Sequence, residues 1–270
     1  MTGALVGVAV VALCLLRFEL RWRQQAPMPA WRRRGAWLAA LAAAVAFVPP
    51  LATQVPAALW AQSLQFSLLA FAVPPLVVLA AGAPNAGAGL AARWLSARGP
   101  VVVVAYLLVT VAWRMPGLVD ATAHVSGLAV VEAATLVVLS GPFWSALIGP
   151  VGQQTPPPRR MALAAVGAWW VWILAFAVGF ASHAWYPAFA RQQRGQLGVV
   201  DSQELGVLII WLSSGAAFVP VVFTSLVAWL DGEERAGDLE RQRWSRVRRP
   251  RPAGAVRLSG GSVLGGAGDR

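Results

Sequence analysis

The chain has no lysine, a single cysteine (Cys14), two histidines, and charged residues at only 12% of its 270 positions. Each shortage removes a class of chemistry. Without an amine side chain there is no Schiff base to retinal or pyridoxal and no Walker-type phosphate lysine. One thiol makes neither an intramolecular disulfide nor a CxxC metal or redox motif, so cysteine usage says nothing about redox compartment. There is also no HExxH, no nucleophile with a histidine at hand and no carboxylate pair deep in an apolar run. The expectation is a protein that is not an enzyme.

What is abundant is apolar surface. With 58% hydrophobic residues and a mean hydropathy of +0.62, the composition is that of a polytopic membrane protein and not of a soluble domain. Seven apolar stretches stand out: Ala4 to Leu16, Ala36 to Ala52, Ala57 to Gly82, Val101 to Trp113, Val125 to Ile148, Ala162 to Ala181 and Leu205 to Leu230. A helical span needs roughly 20 residues. The fourth stretch reaches that length with Gly99 and the Arg114-Met115-Pro116 turn in the two interfaces. The first lacks the basic start and small-residue cleavage site of a signal peptide and reads as an uncleaved span. The fold expected is an all-α bundle of seven transmembrane helices over residues 1–232, followed by a basic cytoplasmic tail, 233–270, that is largely disordered.

All 22 basic residues are arginine, and 19 of them fall on one side of this layout: six between Arg17 and Arg34, then Arg93, Arg98, Arg159 and Arg160, and nine from Arg235 to Arg270. Basic residues are retained on the cytoplasmic side, so the N-terminus is expected outside and the C-terminus inside. The tail begins with a charged stretch compatible with a helix, Asp231 to Arg246, and goes on to Arg248-Arg249-Pro250-Arg251-Pro252 and a Gly-rich end. It reads as a positive-inside anchor, with attraction to anionic headgroups of ~1 kcal/mol per arginine as the sharper alternative. Nothing beyond charge points to nucleic acid.

Polar groups inside spans are the default functional candidates, because lipid penalises them unless they are paired. Segment three carries Gln62, Ser63 and Gln65, and segment seven carries Ser213, Ser214 and Gly215. Segment five carries Glu132, the only carboxylate within any expected span. His124 and His183 lie at the outer ends of segments five and six, near Asp120, Asp201 and Glu204. Closed into a bundle, Gln62, Gln65, Arg114, Asp120, Glu132, Asp201 and Gln203 would surround an outward-facing cavity, with Arg114 as partner of Glu132 or Asp120. His124 and His183 are the candidate metal ligands. Copper(I) prefers thiolate, thioether or imidazole ligands, and the chain offers few. Trp60, Trp113 and Trp185 fall where an outer aromatic belt would lie.

At Trp113-Arg114-Met115-Pro116, Asp120 and Glu132, then Tyr186-Pro187-Ala188-Phe189-Ala190 and Asp201-Ser202-Gln203-Glu204-Leu205-Gly206 to Trp211, the chain resembles the CtaG family of cytochrome c oxidase assembly factors. Pro74-Pro75-Leu76 to Gly82-Ala83-Pro84 is similar to the end of that family's third helix, and together these stretches cover about Leu59 to Glu234. The resemblance implies a multi-pass protein of the bacterial inner membrane that helps build haem–copper oxidase by supplying or placing copper, with the lipid bilayer and oxidase subunits or copper-carrying proteins as partners. It also marks departures. Where the family usually has a histidine pair on segment three, this chain has Gln62 and Phe66. The positions flanking Glu132 are Ala129 and Ala133, and Arg114 stands where a histidine is usual. The alternative reading is a small transporter or channel with its polar cavity around Glu132.

Overall fold

A computed structural model describes residues 29–81, 99–125, 127–149, 155–192 and 198–247. Among the described residues every regular element is helical. The expected first span, Ala4 to Leu16, and the tail beyond Val247 lie outside them.

Prolines set most of the boundaries. Helix α1 (Ala30–Phe47) ends at an extended Val48, and one further turn, α2 (Leu51–Gln54), follows Pro49-Pro50. A residue before proline is pushed out of helical backbone, which explains the stop. Helix α3 (Leu59–Ser67) runs through a π turn (Leu68–Ala72) into α4 (Val73–Ala81). Pro74 and Pro75 have no N–H to give to the carbonyls of Ala70 and Phe71 four residues back, and the widened turn falls where those bonds are missing. The Ala70 carbonyl instead accepts from the indole Nε1 of Trp144 at 3.3 Å.

Helices α5 (Gly99–Ala112) and α6 (Pro116–His124) are separated by Trp113-Arg114-Met115 and bent by 61°. Then come α7 (Leu128–Ile148), α8 (Pro157–Gly179), α9 (Pro187–Gln192) and α10 (Val199–Val247). Proline opens α6 and α8, where its missing N–H costs nothing. Five helical stretches are long and apolar enough to cross a bilayer: Ala30–Gln54, Leu59–Ala81, Leu128–Ile148, Pro157–Gly179 and Val200–Trp244. The bent α5–α6 pair is a sixth if it is one broken span. The chain is thus an all-helical membrane protein with five to six such spans among the described residues.

Helix α8 shows the polarity expected of a lipid-facing helix. Its inward face is built of small residues, Ala164, Gly167, Ala168 and Ala175 with Val171 and Val178, while Trp169, Ile173, Phe176 and Phe180 point outward. Small residues let helix backbones approach closely where water supplies no driving force. Gly167 illustrates this, since a Cβ there would lie 2.9 Å from Phe143 Cζ and 3.0 Å from Phe218 Cε1. Around it packs an aromatic core in which Tyr106 stacks on Phe143 at 4.0 Å and Trp144 on Phe218 at 4.8 Å.

Two features of the fourth segment depart from expectation. Arg114, expected in the interface, is buried at 3% exposure, where α5 has stopped and the chain turns by 61° into α6. Trp113, expected in an outer belt, is buried too and donates Nε1 to Thr135 Oγ1 of α7 at 2.8 Å.

The chain divides into two units, Met1–Ala228 and Trp229–Arg270. In the second, α10 stays helical through Val247, so the charged stretch from Asp231 to Arg246 is helix. It carries exposed ion pairs, Arg235–Asp231 at 3.7 Å and Arg241–Asp238 at 2.6 Å, each worth about 0.5 kcal/mol or less.

Candidate functional site

The break between α5 and α6 delivers Arg114 into the bundle. Its Nη1 donates to Gln62 Oε1, and its Nη2 to Ser63 Oγ at 3.2 Å. Both acceptors lie on α3, adjacent in sequence, which suits the two tines of a planar guanidinium. The Arg114 Cζ also lies 5.4 Å from the centre of the Phe66 ring and 5.5 Å from that of Tyr186, within cation–π range of both. Tyr186 closes the arrangement by donating its hydroxyl to the Arg114 carbonyl at 3.1 Å. One residue thereby ties α3, the broken span and the segment leading into α9.

Glu132 of α7, 1% exposed, belongs to the same layer. Its carbonyl accepts from Thr135 Oγ1, itself the acceptor of Trp113 next to Arg114, and no direct ion pair joins Glu132 and Arg114 among the described residues. Its Oε1 and the Nε2 of Gln62 are buried with no hydrogen-bond partner in the protein. A cavity of about 10 Å³, room for roughly one water, lies beside Arg114 between Phe66, Thr110, Val171 and Ile210. Apolar walls dominate it, and of the expected site residues Arg114 alone lines it.

The remaining candidates do other work. Asp120 Oδ1 accepts from the Ala188 amide at 3.2 Å in the first turn of α9. Gln203 accepts from the Trp185 amide at 2.9 Å and donates to the Val178 carbonyl at 2.8 Å, joining α10 to the end of α8. Asp201 accepts from the Gly198 amide at 3.1 Å, satisfying an N–H at the start of α10. Gln65 donates to the Ala46 carbonyl at 2.7 Å and fixes α3 to α1. Gly206 lets α10 approach α3, where a Cβ would stand 2.7 Å from Ser63 Oγ.

The structure therefore brings Gln62, Arg114 and Glu132 together, while Asp120 and Gln203 hold the segment around Trp185–Ala188. Arg114 pairs with neither carboxylate directly. His124 and His183 are exposed, and His183 stacks on Trp185 at 6.2 Å. Among the described residues no group of three or more His, Cys, Asp or Glu side chains is placed to hold a metal ion.

The sequence matches the family model described as cytochrome c oxidase caa3 assembly factor over residues 13–232. The chain belongs to the CtaG family of cytochrome c oxidase assembly factors. No curated protein and no solved structure matches it. The match spans every element from α1 to α9 and α10 as far as Gly232. In this CtaG chain Gln62, Phe66 and Arg114 meet at one point. As a receiver of copper that point does not fit: it offers an amide oxygen, a hydroxyl oxygen and an aromatic face around a guanidinium that cannot be deprotonated. Sequence reasoning left unremarked the link from Trp144 to Ala70, for which Pro74-Pro75 is the signal, and the role of Tyr186 as a clamp on Arg114.

Proposed function

We propose that this chain assists assembly of cytochrome c oxidase as a non-enzymatic scaffold, acting by contact with oxidase subunits or with the proteins that carry copper to them. Its place is the bacterial inner membrane, with seven spans, N-terminus outside and C-terminus inside, and residues 233–270 as a basic cytoplasmic tail. The observation that carries this reading is the buried arginine knot. Arg114, Asp120 and Gln203 between them fasten the Trp185–Ala188 segment to the broken span and to α10. With Tyr186 and Ala188 buried as anchors, the exposed Pro187 between them is held in place, and fixing a surface beforehand reduces the entropy lost on binding.

The test is genetic and biochemical. A deletion strain is expected to lose most cytochrome c oxidase activity, with the parent gene restoring it and an Asp120→Ala/Gln203→Ala variant restoring less than half at equal membrane abundance. Normal oxidase activity in the deletion strain overturns the proposal.

A further inference from the structure

We infer that Arg114 is a built-in cation standing where a bound metal could otherwise tie the bundle together, so that this core assembles on a guanidinium and takes up no metal ion. The inference goes beyond the assembly reading and survives its failure.

Three side chains from two segments converge on one point. Gln62 and Phe66 are one turn apart on α3, the spacing at which two side chains of a helix can address a single ion. Arg114 reaches the same point from the break after α5, touching the amide oxygen of one and lying 5.4 Å over the ring of the other. A metal there would meet one amide oxygen, the Ser63 hydroxyl, a ring face and a permanent unit charge.

That charge decides the matter. At about 4 Å and an effective dielectric near 20, repulsion between unit charges lowers an association constant by roughly a thousandfold. The guanidinium also does the mechanical work a metal would do. Its fork engages Gln62 and Ser63, and its faces meet Phe66 and Tyr186.

The experiment is a metal titration of the purified full-length chain in detergent. Copper(I) is offered in competition with a chromogenic chelator and zinc(II) in parallel, with thermal melting as a second readout. The parent is expected to take neither ion and to melt at the same temperature with or without them. The Gln62→His/Phe66→His/Arg114→His variant is expected to bind about one ion per chain and to melt higher with it. A parent that holds about one ion and loses it in Gln62→Ala overturns the inference. So does a folded triple variant that binds nothing, because the three positions then share no point. If the triple variant is not recovered folded, Arg114→Met decides. A melting midpoint lower by on the order of 10 °C supports the tie, and an unchanged one overturns it.

Discussion

Trp144 donates its indole N–H to the carbonyl of Ala70 across 3.3 Å, and that carbonyl is the one Pro74 leaves without a backbone donor. The contact joins α7 to the π turn between α3 and α4. Replacing Trp144 with phenylalanine keeps an aromatic ring against Phe218 but leaves the buried carbonyl unpaired. Unfolding free energy in detergent is expected to fall by about 1–3 kcal/mol, and a variant as stable as the parent would show that the carbonyl finds another donor.

Gly167 and Gly215 give a paired prediction of opposite sign. A methyl at Gly167 meets Phe143 and Phe218, rings already held by their own stacking partners, so Gly167→Ala is expected to cost about 1–3 kcal/mol. Gly215 lies inside α10, where a would-be Cβ meets nothing nearer than Trp172 Cζ2 at 4.0 Å, an ordinary contact. Gly215→Ala is therefore expected to be neutral or to stabilise by up to about 1 kcal/mol. Melting curves of the two variants check both signs.

How far the sequence could carry the fold follows from where its signals are local. Runs of apolar residues mark the spans, and prolines at 49, 74, 116 and 157 mark boundaries, because both act on the backbone within a few residues. The inward path of Arg114 is not local. Its WRMP context suggests an interfacial turn, and only the packing of α3 and Tyr186 around it makes burial tolerable. Glu132 was legible as a buried carboxylate and Gln62 as an interhelical bonder, since polar residues in apolar runs are rare. Their meeting point was not, because pairing across 52 residues, as between Gln62 and Arg114, leaves no trace in spacing.

Asp120 holds α9 through one hydrogen bond to the Ala188 amide. Asp120→Ala removes that acceptor and the negative charge near the N-terminus of α9, at a cost of about 0.5–2 kcal/mol. The effect is local. Amide hydrogen exchange at Ala188 is expected to speed up by about tenfold with α3 and α7 unchanged, and uniform protection across the protein would show that Asp120 does not secure this segment.

Glu132 and Arg114, both buried and without a direct ion pair between them among the described residues, are best compared by a double-mutant cycle. Glu132→Gln keeps the volume and replaces the carboxyl with an amide, and with no direct ion pair to Arg114 to break the loss is expected at about 1 kcal/mol or less. Arg114→Met leaves Gln62 and Ser63 without their donor. If the two charges act on one another across the core, the double variant loses less than the sum of the single variants, with a coupling of about 1–3 kcal/mol. Additivity to within about 0.5 kcal/mol would mean that Glu132 and Arg114 are independent. Arg114→Lys adds the geometric half of the test. It keeps the charge but not the fork or the flat faces, so it is expected to remain less stable than the parent, since one ammonium cannot engage Gln62, Ser63, Phe66 and Tyr186 together.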